Sequence, residues 1–225
     1  LNKRNANYKH LNPISFLYKA ARIFPEVTSV IYNDVQFNWF ETLERCRLFA
    51  SALQKTGLKK GDVVGFMAAN TPELYEAHFS VPMAGMVLNA LNFRLDAKTI
   101  AYIIDHAEIK LLVVDKEFSQ VIAEAVKNSK IKPILIDIDD PSVTTGEFLG
   151  QLDYEKFLAT GSDNFKIVDP LDEWDTISIN YTSGTTGRPK GVVYHFRGAY
   201  LNALGNAIEW DMGIHPVYLW TLPMF

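Results

Sequence analysis

The sequence predicts an α/β fold: mostly parallel sheets flanked by helices. Two observations carry this. Short apolar runs bounded by turn residues, which read as buried strands, recur between residues 62 and 138. Segments of helical period, with their own start signals, alternate with them, and that alternation is the mark of βαβ units. The 225 residues are enough to bury a large core, and 48% of them are hydrophobic.

The elements follow in chain order. Asn38-Trp39-Phe40-Glu41 reads as a capping box opening a helix. Trp39, Leu43, Cys46, Ala50 and Leu53 then recur at helical spacing, and Gly57 follows the end. Residues 62–69 form a buried strand. Thr71-Pro72 supplies an N-cap and a proline at the first helical position. That helix runs toward Pro82, where it should kink or stop. Residues 86–91 are a second strand, and Asp96 caps a helix carrying Ile100, Ile103 and Ile104. A strand over 110–114, a helix over 116–128 and a strand over 134–138 complete the series. Residues 139–175 change character: acidic, with Gly, Ser and Thr, they read as an irregular connection with one short helix near 154–159. The expected organisation is a first βαβ subdomain over about 13–138, the connection over 139–175, and the start of a further region over 176–225.

Bulk properties narrow the function classes. The net charge is −4 and the pI about 5.7, so no general attraction to nucleic acid or an anionic membrane is expected. The single cysteine, Cys46, reads as a small core residue and allows no disulfide framework. A reducing compartment follows: cytoplasmic by default, with the peroxisome as the other candidate. The first ten residues are polar and lack the apolar core of a secretory signal. The longest apolar stretch, 81–91, is broken by Pro82, Gly85 and Asn89 and is too short to span a bilayer. The chain begins with Leu1 and stops inside the apolar Leu222-Pro223-Met224-Phe225, so it is expected to be a piece of a longer polypeptide.

The chemistry is concentrated in one segment. Residues 176–181 alternate as a strand, and 192–195 read as another. Between them lies Thr182-Ser183-Gly184-Thr185-Thr186-Gly187-Arg188-Pro189-Lys190-Gly191. These ten positions hold three glycines, three threonines, a serine, an arginine, a lysine and a proline, which packing cannot explain. Glycines let backbone N–H groups approach phosphate oxygens. The hydroxyls donate further hydrogen bonds, and Lys190 offers a compact charge that follows the polyphosphate. Phosphoryl and nucleotidyl transfer need mainly positioning and charge stabilisation, and this loop supplies both. It is not a Walker loop, because Lys190 is followed by Gly191 and the chain runs from strand to strand. A ligand-free glycine-rich hairpin is the bland alternative.

Tyr181 to Gly191 resembles the signature loop of the adenylate-forming superfamily. Gly61-Asp62-Val63-Val64, Asn70-Thr71-Pro72-Glu73, Pro82-Met83-Ala84-Gly85 and Leu91-Asn92-Phe93-Arg94-Leu95 are similar to the early region of its acyl-CoA synthetases, the acyl-activating enzymes. Asp153 to Ala159 resembles the short helix before the loop, and Leu222-Pro223-Met224-Phe225 resembles the motif after it. The resemblance implies the N-terminal portion of that fold, with the hinge, the adenine-binding segments and the C-terminal lysine absent and the piece inactive by itself. It implies an AMP-forming acid–thiol ligase. ATP with Mg2+ and a small-molecule carboxylic acid give an acyl-adenylate, and CoA as co-substrate displaces AMP. Thr182, Ser183, Gly184, Thr185, Thr186, Gly187 and Lys190 would hold the β- and γ-phosphates, with Lys190 and Thr185 in the catalytic role. Trp220 and Phe225, flanking the terminal motif, are candidates for the acyl pocket, with ordinary core packing as the equal alternative. No metal ligand is identifiable. The expected acid is a short- or medium-chain fatty acid or a related carboxylate. The alternatives are an adenylation domain loading an amino or aryl acid on a carrier protein, and a non-catalytic nucleotide-binding remnant.

Other candidates read more plainly. The five histidines do not stand at metal-ligand spacing. His78 reads as a partly buried helix residue and His195 as support for the loop strand. Asp137, Asp139 and Asp140 read as a solvated strand end.

Overall fold

The computed structural model describes residues 2–4, 6–162, 164–182 and 188–225. The chain opens with α1 (Ile14–Ile23) and an antiparallel hairpin, β1 (Thr28–Tyr32) and β2 (Val35–Asn38), turning through Asn33 at φ 52°. α2 (Trp39–Lys55) starts at the expected capping box. Asn38 Oδ1 accepts from the Glu41 N–H at 2.8 Å, and the Glu41 carboxylate accepts from the Asn38 N–H at 2.9 Å. Leu43, Cys46, Ala50 and Leu53 are all buried, and Gly57 leaves the helix at φ 86°.

The alternation then runs as expected: β3 (Val63–Met67), α3 (Pro72–Met83), β4 (Val87–Ala90), α4 (Ala97–His106) and β5 (Ile109–Asp115). A short 3-10 turn (Lys116–Phe118) leads into α5 (Ser119–Asn128) and β6 (Ile134–Ile138). Helix α3 ends one residue beyond Pro82, consistent with a proline that cannot donate within the helical ladder. In the acidic connection, β7 (Leu152–Asp153) precedes the short helix α6 (Tyr154–Ala159). β8 (Thr176–Thr182), β9 (Lys190–His195) and α7 (Phe196–Glu209) follow.

Strands β3 to β9 form one sheet in the order β7-β6-β5-β3-β4-β8-β9. Every neighbouring pair is parallel except β8 with β9, which is antiparallel. The chain steps from β3 to β4 on one side, then crosses to β5 on the other. The carboxyl ends of β3 and β5 therefore flank a topological switch point, where open α/β sheets bind ligands.

Both faces of the sheet are covered across β3, β4 and β5, whereas β9 at one edge is exposed. Phe49, Phe66, Leu74 and Tyr154 belong to one buried cluster; Met67, Ile100, Leu112 and Ile122 belong to the other. Phe49 lies flat against Tyr154 at 4.7 Å and meets Phe157 edge-on at 5.4 Å. Each such side chain contributes roughly 1.5–3 kcal/mol by leaving water. Burial on both faces explains why β3 to β5 read as largely apolar runs, interrupted at Asn89 and the exposed Lys110.

Two polar arrangements pin the connection to this core. Glu76 of α3, 1% exposed, accepts from Arg45 Nε at 2.5 Å and from the Tyr154 hydroxyl at 2.9 Å. Burial pushes its carboxyl up to about 7, against the pull of Arg45. The aspartates at the end of β6 and just after it are not a solvated strand end. Asp137 accepts from the Leu149 and Gly150 N–H groups, and Asp140 from Tyr32 and Ser142; both are buried. Only Asp139 is exposed, paired with Lys116. Runs of aspartate suggest solvent, but these two have backbone and hydroxyl donors waiting for them.

Candidate functional site

Strand β8 is parallel to β4, with Leu88 opposite Ser178, so Thr182 stands at the carboxyl edge of the sheet. β9 returns antiparallel from the same edge, and Thr182 pairs in register with Lys190. Both are exposed, and Lys190 makes no ion pair among the described residues. Ser183, Gly184, Thr185, Thr186 and Gly187 lie outside the described residues. The hairpin is anchored from below. Asn89 Nδ2 donates to the Ile179 carbonyl at 2.5 Å, and the Tyr181 hydroxyl lies 2.6 Å from His106 Nδ1. Burial pushes the Tyr181 phenol up to about 12, so it stays protonated and can donate. Gly191 leaves room for that ring: a Cβ there would sit 3.1 Å from Ile179 Cγ2 and 3.3 Å from Tyr181 Cζ.

The other predicted residues fall in two aromatic groups. Phe225 meets Phe93 edge-on at 5.2 Å, and Phe93 stacks on Phe118 at 5.5 Å. Trp220, half exposed, packs edge-on against Tyr218, which lies parallel to Trp210 at 5.9 Å. His195 serves a different element from the one expected. Its Nδ1 accepts from the Gly198 N–H at 2.9 Å, making it the N-cap of α7. His78, expected to be partly buried, is an exposed helix residue whose Nε2 lies 3.1 Å from the Met224 carbonyl.

Asn70 was quoted from the sequence only as part of a similar stretch, yet both ends of its amide engage residues 222–224. The signal was its place: a polar residue between a buried strand and a helix whose N-cap position is taken by Thr71. A cleft of about 300 Å³ beside His106, Tyr181 and Gly191 touches the base of the loop hairpin. A second, of about 440 Å³, opens at the amino edge between Lys60, Met86, Val168 and Phe196 and contains none of the predicted site residues. Among the described residues no group of three or more His, Cys, Asp or Glu side chains is placed to hold a metal. No helix among them is long and apolar enough to cross a membrane.

Known proteins share this architecture. A butyrate–CoA ligase of Arabidopsis thaliana, designated peroxisomal, is 48% identical over 98% of this chain and 40% of its own length. A trans-cinnamate:CoA ligase of Petunia hybrida, also designated peroxisomal, is 46% identical over 100% of this chain and 42% of its own. The chain thus spans about two fifths of the length of the curated relatives it matches. Among solved structures, a long-chain-fatty-acid–CoA ligase of Archaeoglobus fulgidus superposes with a TM-score of 0.78 at 21% identity, covering 92% of this chain and 41% of that one. That likeness shows the fold: a mixed α/β domain with a mostly parallel central sheet flanked by helices. The model of the AMP-binding enzyme family matches residues 17–225, and the chain therefore belongs to that family.

Proposed function

We propose that this chain is the nucleotide-facing part of an ATP-dependent acyl-CoA ligase that activates a short- or medium-chain fatty acid or a related small carboxylate. The observation that carries the reading is the hydroxyl- and glycine-rich segment from Thr182 to Gly191, set between the carboxyl end of β8 and the start of β9. Relatives named for butyrate and trans-cinnamate support a small aliphatic or aryl acid.

In this reading an acid carboxylate attacks the α-phosphorus of ATP. A bond forms between carboxylate oxygen and phosphorus, and pyrophosphate leaves. The thiol of CoA then attacks the acyl carbon and AMP leaves. A carboxylate is a weak nucleophile, so the first step depends on in-line placement. Thr182, Ser183, Thr185 and Thr186 would donate from their hydroxyls, Gly184 and Gly187 from backbone N–H groups, and Lys190 from its ammonium, to the β- and γ-phosphates. Charge that develops on the departing pyrophosphate would be stabilised there. Mg2+ would enter with ATP; the described carboxylates form no site of their own for it. The peroxisomal designations of both relatives favour that compartment over the cytosol. A fluorescent fusion of the full-length protein that stays diffuse in the cytosol would contradict it.

The test is acid-dependent exchange of labelled pyrophosphate into ATP by the full-length protein. Exchange with one acid class is expected, and Lys190→Ala should lower it on the order of 100-fold, as loss of one transition-state donor does. A protein that binds ATP but shows no exchange with any acid would refute the reading.

A further inference from the structure

Two side chains of the β3–α3 region reach across the carboxyl edge to a segment far away in sequence. Asn70 does not cap its own helix; Thr71 occupies that position. Instead Asn70 Nδ2 donates to the Leu222 carbonyl at 2.7 Å, and its Oδ1 accepts from the Met224 N–H at 3.1 Å. Pro223, between them, has no N–H to offer a neighbouring strand. The Asn70 amide supplies the acceptor and donor that such a strand would give. Farther along α3, His78 Nε2 lies 3.1 Å from the Met224 carbonyl. A carbonyl only accepts, so the ring carries its proton on Nε2 there.

The held segment delivers Phe225 edge-on to Phe93, which lies flat on Phe118. Asn70 follows β3, Phe93 follows β4, and Phe118 sits in the turn after β5. Three post-strand loops therefore converge on residues 222–225 at the switch point.

We propose that Asn70 and His78 are positioning residues for the acid. By fixing the backbone of residues 222–224 they set the Phe225 ring against Phe93, and with it the space left for an apolar acyl group. This rests on the ligase reading above and concerns the acid, not the ATP phosphates.

The test uses the full-length protein with Asn70→Ala, His78→Ala and His78→Gln. Pyrophosphate exchange is measured with acetate, butyrate, hexanoate and benzoate. Asn70→Ala should raise KM for the acids about tenfold, the scale of one lost hydrogen bond, and flatten preference along the series. KM for ATP should stay within about twofold, a split that general destabilisation does not produce. His78→Ala should act in the same direction, and His78→Gln, whose amide N–H can reach the same carbonyl, should restore the parent values. Equal rises in both KM values, or unchanged acid KM in Asn70→Ala, overturn the proposal. Amide hydrogen exchange in the peptide carrying Met224 separates the clamp from the ligase reading. Faster exchange in Asn70→Ala is expected. Unchanged exchange would sink the clamp itself. Faster exchange in a protein whose parent turns over no acid would leave a structural clamp and overturn its role toward a substrate.

Discussion

Replacing Arg45 by methionine isolates the charge buried beneath α6. The Arg45 guanidinium touches two carboxylates: Glu76, through Nε at 2.5 Å, and Glu155, through its two other nitrogens at 3.0 and 2.6 Å. Glu155 is 61% exposed, so that pair is worth at most about 1 kcal/mol. Glu76 is 1% exposed and has no water to turn to. Its carboxyl stands at about 7 instead of the ordinary 4.5, mainly through burial, with Arg45 pulling it down. The native state therefore holds this proton more tightly than the unfolded chain. The stability Glu76 contributes is fully present below about pH 4.5 and is lost as pH rises through about 7. Without Arg45 the carboxyl rises further, so the two proteins differ in Glu76 ionisation only above about pH 7. At about 1.4 kcal/mol per pH unit, the variant should lose up to about 3 kcal/mol more, relative to the parent, at pH 9 than at pH 6. Urea unfolding of both proteins at the two pH values measures this, and a Glu76→Gln background should abolish the difference. A stability gap that is the same at both pH values, or a pH-dependent difference that survives in the Glu76→Gln background, would refute the reasoning.

Three further outcomes are expected. The Cys46 thiol is wholly buried and held well above its ordinary pKa by burial. It should resist a disulfide reagent in the native protein and react promptly in denaturant; rapid native labelling would contradict the packing of α2. His195→Ala removes the cap of α7 and should cost about 1 kcal/mol in urea unfolding, with turnover unchanged. A large drop in kcat at unchanged stability would make His195 catalytic instead. A Cβ at Gly65 would meet Leu112 Cδ1 at 2.8 Å and Ile109 Cδ1 at 3.1 Å, both side-chain tips. Gly65→Ala should therefore destabilise by about 1–3 kcal/mol, and a gain in stability would show slack between β3 and β5.

What the sequence by itself determined was local. The Asn38–Glu41 box, the Asp96 cap, the strand runs at 63–67 and 134–138 and the helix at 154–159 were legible because capping, proline placement and hydrophobic period act over a few residues. The chemistry of the Thr182–Gly191 segment was legible for a related reason: its composition has no packing explanation. The hairpin β1–β2, and helices α1 and α7, were not read. α1 lacks a side-chain cap, and α7 is capped by a histidine outside the usual set. Only the tertiary structure decided the rest. Strand order made a switch point of β3 and β5; the approach of α2 and α6 to α3 buried Glu76. The return of residues 222–225 to the sheet edge gave Asn70 and His78 a partner. Those outcomes depend on which distant backbones meet, and a hydrogen bond across 152 residues leaves no period in the chain that forms it.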